Sequence, residues 1–279
     1  MSLGQIGLGT YALAWAIGVS GYPPPAAPLD AFAFIQVAHD LGLRLVQIAD
    51  NIPLHTLTTE ERARLRDQAK SLGVAVEVGT RGIQPENIRA YLDIAAFFES
   101  PLLRVVVDAA NFHPSPDEII AITGELLPDL ERRNITLGIE NHDRFRAHTL
   151  ADIMTAVKSP LVGIVLDTVN SFGSLEGPDV VVETLGRYVV NLHIKDFTIR
   201  RADHNMGFTI SGAPAGAGML DLPWLFGKLD GFGRDYNAIL ETWPAPEATM
   251  DATIAKERAW VEQSVGYLRD VTEGSRARG

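Results

Sequence analysis

The sequence predicts an α/β fold, a single (β/α)8 TIM barrel over residues 1–279, with a frayed tail from about 271 to 279 that ends in "TEGSRARG". Three observations lead there. A short β-branched run followed by a longer stretch with apolar residues three and four apart recurs about eight times. Strands that alternate with helices need crossover connections, and crossovers imply a parallel sheet. Eight such units in 279 residues match the size of a closed barrel. A doubly wound open sheet is the rival arrangement. No linker, low-complexity tract or composition shift divides the chain, and 46% apolar residues supply core enough to fold alone.

The first strand, Gln5–Gly9, lies in the apolar opening "MSLGQIGLGTYALAWAIGV", which lacks the basic start of a secretory leader. A helix at Pro28–Leu41 leads to the second strand, Arg44–Ala49. The helix Thr58–Leu72 opens with "TTEER", where a hydroxyl caps free amides and acids sit at the positive end of the helix dipole. The strand Ala75–Gly79 follows it. The series continues with the helix Pro85–Glu99 and strand Leu103–Asp108, then Ser115–Arg133 and Thr136–Glu140, then Thr149–Val157 and Gly163–Asp167. Pro178–Gly186 and Val189–His193 come next, then Leu222–Leu229 and Ala238–Glu241, and the helix Asp251–Leu268 closes it. The segment "MGFTISGAPAGAGMLDLPW" exceeds a plain crossover and reads as a long loop after strand seven, its glycines suited to close backbone approach or lid movement.

Composition removes several functions. A formal charge of -11 and a pI near 5.1 repel phosphate backbones, so nucleic acid is not the expected partner. No run of about 18 apolar residues spans a membrane, and none is expected as a partner. The absence of cysteine excludes disulfides and thiolate metal sites and fits a cytoplasmic location. "GLGTYA" at Gly7–Ala12 matches a dinucleotide-binding pattern in form, but the next strand comes too late for the ribose-binding acid.

In a barrel of this kind, chemistry sits where strands end. "TLGIENHDRF" ends strand five with Glu140, "GIVLDTVNSF" ends strand six with Asp167, "VVNLHIKDF" ends strand seven with His193 and "AILETWP" ends strand eight with Glu241. A lone carboxylate at a strand end is usually a helix cap or a rim salt bridge. Four metal-type ligands on four adjacent strands converge instead, and three carboxylates at one point repel unless a cation joins them. The ligand set is mostly hard, which favours Mn2+ or Mg2+, with Co2+, Fe2+ or Zn2+ as further candidates.

The order Glu, Asp, His, Glu in "IEN", "LDTVN", "LHIKD" and "LETW" resembles the xylose-isomerase-like superfamily of sugar-phosphate isomerases and epimerases, which includes ketose 3-epimerases and endonuclease IV. The resemblance implies that Glu140, Asp167, His193 and Glu241 bind one divalent metal ion and that Glu140 and Glu241 act as acid and base on opposite faces of a keto-sugar. The expected reaction is isomerisation or epimerisation through an enediolate. The alternative is a lyase, a decarboxylase or dehydratase of a keto-sugar acid like 3-oxo-isoapionate decarboxylase, whose loop has a similar "MGF…PAG.G.LD.PW" flavour. Dimers and tetramers are common among the enzymes resembled.

Departures from the free-ketose epimerases favour a charged substrate. Arg146 stands where they place a glutamate, and Asn170 where they place a histidine. Lys195, two residues after His193, adds a catalytic cation at the mouth, and Arg201 follows in the next loop. His142, Arg146, Asn170, Arg201 and Trp243 are the expected substrate contacts; of Asn141 and His142, alternation lets one face inward, and His142 is preferred. Glu77 and Asp108 are read as rim salt bridges, and Trp15 as a core residue or pocket wall. Two further readings are an endonuclease IV-like repair enzyme, disfavoured by seven histidines and the acidic charge, and a non-catalytic sugar-binding barrel.

Overall fold

The computed structural model describes residues 2–276. Strand β1 (Leu3–Gly9) leads through a 3-10 turn into the short helix α1 (Ala14–Ile17) and then α2 (Ala31–Asp40). The alternation continues with β2 (Leu45–Ile48), α3 (Thr59–Leu72), β3 (Ala75–Arg81), α4 (Pro85–Phe97), β4 (Leu102–Val106), α5 (Pro116–Arg133), β5 (Thr136–Glu140) and α6 (Ala147–Val157). It ends with β6 (Val162–Asp167), α7 (Pro178–Leu185), β7 (Val189–Ile194), the hairpin β8 (Asp196–Arg201) and β9 (Phe208–Ala213), α8 (Leu222–Gly231), β10 (Tyr236–Leu240) and α9 (Met250–Arg276). Strands β1 to β7 and β10 close into one parallel barrel, which is the predicted TIM barrel. No helix among the described residues is long and apolar enough to cross a membrane.

Local chemistry sets the helix starts. Thr58 and Ser115 each form a reciprocal capping box, with Glu61 and Glu118, and Asp30 and Asp221 accept from Ala33 and Trp224 amides at 2.8 and 2.9 Å. Leu8, Val46, Ile48, Val78, Leu103, Leu137, Ile164, Leu192 and Ala238 are buried along the barrel strands. Each such side chain contributes about 1.5–3 kcal/mol relative to exposure when it is of Val or Leu size.

The segment expected as a long loop after strand seven is partly a β-hairpin, with Asp196–Arg201 antiparallel to Phe208–Ala213 and Asn205 in the left-handed region at its tip. Its strands escaped notice because neither face is consistently apolar: much of the hairpin is exposed, so it lacks a buried-strand pattern. The glycine stretch beyond it wraps the carboxylate of Asp196, which accepts from the amides of Phe197, Gly216, Gly218 and Leu220 at 2.7–3.0 Å. A Cβ at Gly218 would lie 2.1 Å from Asp196 Oδ1, so glycine there permits approach to that side chain.

Strand three runs to Arg81, two residues past its expected end, which leaves Glu77 deep in the barrel rather than on the rim. Glu77 therefore makes no rim salt bridge; it accepts hydrogen bonds from Gln47, Asn191 and Asn237. Asp108 does pair across the rim, with Arg144. Helix α9 extends into the segment expected as a tail, whose last residues, 277–279, lie outside the described part.

Glu257 of α9 is fully buried and accepts from the amides of Trp15 and Ala16 at 2.8 and 3.0 Å. Burial pushes its carboxyl up to about 7, against those amides. Folding then holds the proton longer than the unfolded chain does, so this contribution is complete below about pH 4.5 and is lost as pH rises through 7. The stability of the protein relative to Glu257→Gln should fall between pH 4.5 and 7.5, measured by urea unfolding at the two values; a pH-independent difference counts against this account.

Candidate metal centre at the barrel mouth

Glu140 ends β5, Asp167 ends β6, His193 is the penultimate residue of β7, and Glu241 follows β10 directly. All four are at most 2% exposed. Ligand atoms of Glu140, Asp167 and His193 lie within 4.8 Å of one another. His193 Nδ1 is 3.4 Å from Glu140 Oε2, 3.4 Å from Glu241 Oε1 and 4.0 Å from Asp167 Oδ2. The strand ends thus bring together the four residues singled out in the sequence. Gly9 of β1 makes room for one of them, since a Cβ there would lie 3.0 Å from Glu241 Cγ.

Asp167 Oδ2, His193 Nδ1 and both Glu241 oxygens are buried without a hydrogen bond. Unsatisfied acceptors in such a space cost about 1–3 kcal/mol each, and more when charged. One cation among them would satisfy all four at once. The carboxylates and imidazole fit a hard or borderline divalent ion, so the buried Glu140, Asp167 and His193 are consistent with a divalent-metal site. Among the described residues this is the one cluster of its kind.

Two cations flank the cluster, Arg104 buried and Lys195 partly buried. Lys195 Nζ lies 2.8 Å from Asp167 Oδ2 and 2.9 Å from Glu241 Oε2, at ion-pair distance. Burial would lower the lysine pKa, but Asp167, Glu241 and Glu140 raise it and keep the ammonium charged. Arg104 is 2% exposed in the middle of β4; its Nε donates to Glu140 Oε2, and its Nη1 donates to Asp50 Oδ1 at 3.0 Å. Asp50 also accepts from Arg81 Nε at 3.1 Å and Tyr11 OH at 3.0 Å. Burial pushes the Glu140 carboxyl up, yet the charges of Arg104 and Lys195 outweigh it and hold the group at about 2. Lys195 likewise holds Glu241 below the usual range despite its burial.

Asn170 Nδ2 donates to Glu140 Oε1 at 2.7 Å, while the amides of Val169 and Asn170 donate to Asp167 Oδ1 at 2.8 Å each. Of the pair after Glu140 it is Asn141 that turns inward: it donates to the Asp167 carbonyl and accepts from the Asp167 amide. His142 is half-buried against Asp143. Arg146 is exposed at the start of α6, Arg201 is exposed on the hairpin over Phe208, and the Trp243 indole donates to the Asp196 carbonyl at 3.0 Å. These four contacts do not join the ligand cluster. Trp15 is a core residue whose indole donates to the Pro244 carbonyl. Sequence reading missed Arg104, although an arginine inside "LLRVVV" needs a buried anion to be tolerated.

A family model described as xylose isomerase-like TIM barrel matches residues 35–271. The chain belongs to that family. A relative from Pectobacterium atrosepticum, 3-oxo-isoapionate decarboxylase, is 35% identical over 263 residues, covering 94% of each chain. Among solved structures, a xylose isomerase domain protein from Planctomyces limnophilus superposes with a TM-score of 0.71 at 18% identity, covering 97% of this chain and 98% of that one. D-psicose 3-epimerase from Clostridium cellulolyticum H10 gives the same TM-score at 14% identity, with 96% and 99% covered. The two structural likenesses show the family's fold.

Asp167→Ala and His193→Ala should each lower Mn2+ affinity in calorimetry by more than the roughly 10–100-fold that follows loss of a group supporting a ligand. Arg104→Leu leaves Glu140 without its cation in the barrel. The metal-free variant should lose about 3 kcal/mol or more of stability by chemical denaturation, and an unchanged midpoint would contradict the pairing.

Proposed function

We propose that this family member is a divalent-metal-dependent lyase that decarboxylates a 3-oxo sugar acid. The observation that carries this reading is the state of Glu140. Arg104 occupies one of its oxygens and Asn170 the other, so it is held as an anion. A carboxylate bound in this way supplies charge but is poorly suited to take and return a proton at neutral pH. Epimerisation on opposite faces of one carbon needs two such carriers. Decarboxylation of a β-keto acid needs no prior removal of a C–H proton: the bond to the carboxyl carbon breaks, its electrons pass to the ketone as an enolate, CO2 leaves, and one proton is delivered to the carbon. The relative at 35% identity bears the name of such an enzyme.

A cation held by Glu140, Asp167, His193 and Glu241 would supply the positive charge that draws those electrons toward the ketone oxygen. Asn170 and Arg104 orient Glu140, and Asn141 and the amides after Asp167 orient Asp167. Lys195 holds a proton at Nζ beside Asp167 and Glu241 and would be the donor to the carbanion carbon once a bound cation shares the charge of those carboxylates. A divalent ion together with Arg81, Arg104 and Lys195 would outweigh the carboxylates of Asp50, Glu140, Asp167 and Glu241, which suits an anionic substrate. The isomerase or epimerase reading stands second, favoured by Glu241, whose oxygens accept no hydrogen bond and so are not locked as those of Glu140 are.

Incubation of carboxyl-labelled 3-oxo sugar acids with the Mn2+-loaded protein in D2O should release labelled CO2 and leave one deuteron on the adjacent carbon. Deuterium exchange into neutral ketoses without CO2 release would favour the second reading instead. Lys195→Met should lower turnover by about 10²–10⁴-fold, while Mn2+ binds at least as tightly because a competing charge has gone.

A further inference from the structure

We infer that Glu77, acting through Gln47, is the positioning residue that fixes the tautomer of His193 and so presents the Nδ1 lone pair to the cation. The inference rests on the reading of the ligand cluster as a metal site. Gln47 and Glu77 face each other across β2 and β3, and Asn191 and Asn237 do so across β7 and β10. Together they put a polar layer inside the barrel, where branched apolar side chains usually fill the space. All but Asn237 are almost wholly buried.

Burial pushes the Glu77 carboxyl up, against the hydrogen bonds from Asn237, Gln47 and Asn191, whose NH2 groups all turn toward its two oxygens. Gln47 Nε2 lies 3.1 Å from Glu77 Oε2, Asn191 Nδ2 lies 2.9 Å from the same oxygen, and Asn237 Nδ2 lies 2.7 Å from Oε1. The Gln47 amide group is held on that side a second time by Asn191 Oδ1 at 3.3 Å. Its carbonyl oxygen consequently points the other way, and it meets His193 Nε2 at 2.7 Å. A carbonyl oxygen accepts only, so Nε2 carries the hydrogen and Nδ1 of the neutral ring is left as a lone pair. That atom is buried without a donor, among Glu140, Asp167 and Glu241. The carboxylate two links away thus decides which imidazole nitrogen can bind an ion.

Glu77→Gln offers the Gln47 amide a second amide that can donate or accept, so Gln47 is free to turn its NH2 toward His193 and favour the opposite tautomer. Mn2+ affinity of this variant, measured by calorimetry, should fall about 10–100-fold. The imidazole nitrogen shifts of the metal-free protein should move from the Nε2–H pattern toward the Nδ1–H pattern. Combining Glu77→Gln with Gln47→Glu puts an acceptor oxygen back against Nε2–H and should recover both the affinity and the shifts. A layer that merely packs the barrel predicts instead a lower melting temperature with unchanged Mn2+ affinity and an unchanged tautomer, in which case the inference falls. If the parent protein binds no divalent ion at all, the metal reading itself fails; if it binds one and Glu77→Gln binds it equally well, only the role of Glu77 fails.

Discussion

Three carboxylates, Glu140, Asp167 and Glu241, crowd one imidazole in a space closed to water, and most of the barrel mouth is organised around their mutual repulsion. Two unit charges 4 Å apart interact by about 4 kcal/mol at the effective dielectric of a protein site. Arg104 and Lys195 offset two of the three negative charges, and Arg81 answers Asp50, which Arg104 also touches. One negative charge of the cluster remains without a partner. A bound cation is the remaining way to neutralise it, which is why the donor atoms left over all face the same point.

The two protein cations have different tasks. Arg104 is planar and locked at both ends, between Glu140 and Asp50, and Gly79 makes room for it: a Cβ there would come within 3.2 Å of Arg104 Cδ. It fixes a ligand. Lys195 carries its charge on a flexible stem, partly open to the mouth, and leans on Asp167 and Glu241. The same carboxylates would therefore serve as ligands to an ion and as the counter-charge that keeps a lysine protonated.

The parts of this arrangement that lie at strand ends were legible in the sequence, because a charged residue closing an apolar run has few structural reasons to be there. Glu140, Asp167, His193 and Glu241 were found in that way, and so was Lys195. The groups that hold them were hidden within strands. Arg104 sits in "LLRVV", Gln47 in "LVQI" and Glu77 in "VEV", where a single polar residue in a run buried on both faces gives no sign of which face it takes. The strand boundary mattered too: two more residues in β3 moved Glu77 from the rim to the interior. The hairpin after β7 was unreadable for the opposite reason, since its exposed strands carry no burial pattern at all.

The Asp196 carboxylate, which gathers four backbone amides, immediately follows Lys195 in the chain. Hairpin and glycine loop hang from that one peg, and the indole of Trp243 is tied to its carbonyl. Any displacement of that peg would shift the adjoining peptide of Lys195, so the backbone anchor of the hairpin and the placement of the ammonium beside Asp167 and Glu241 are mechanically joined.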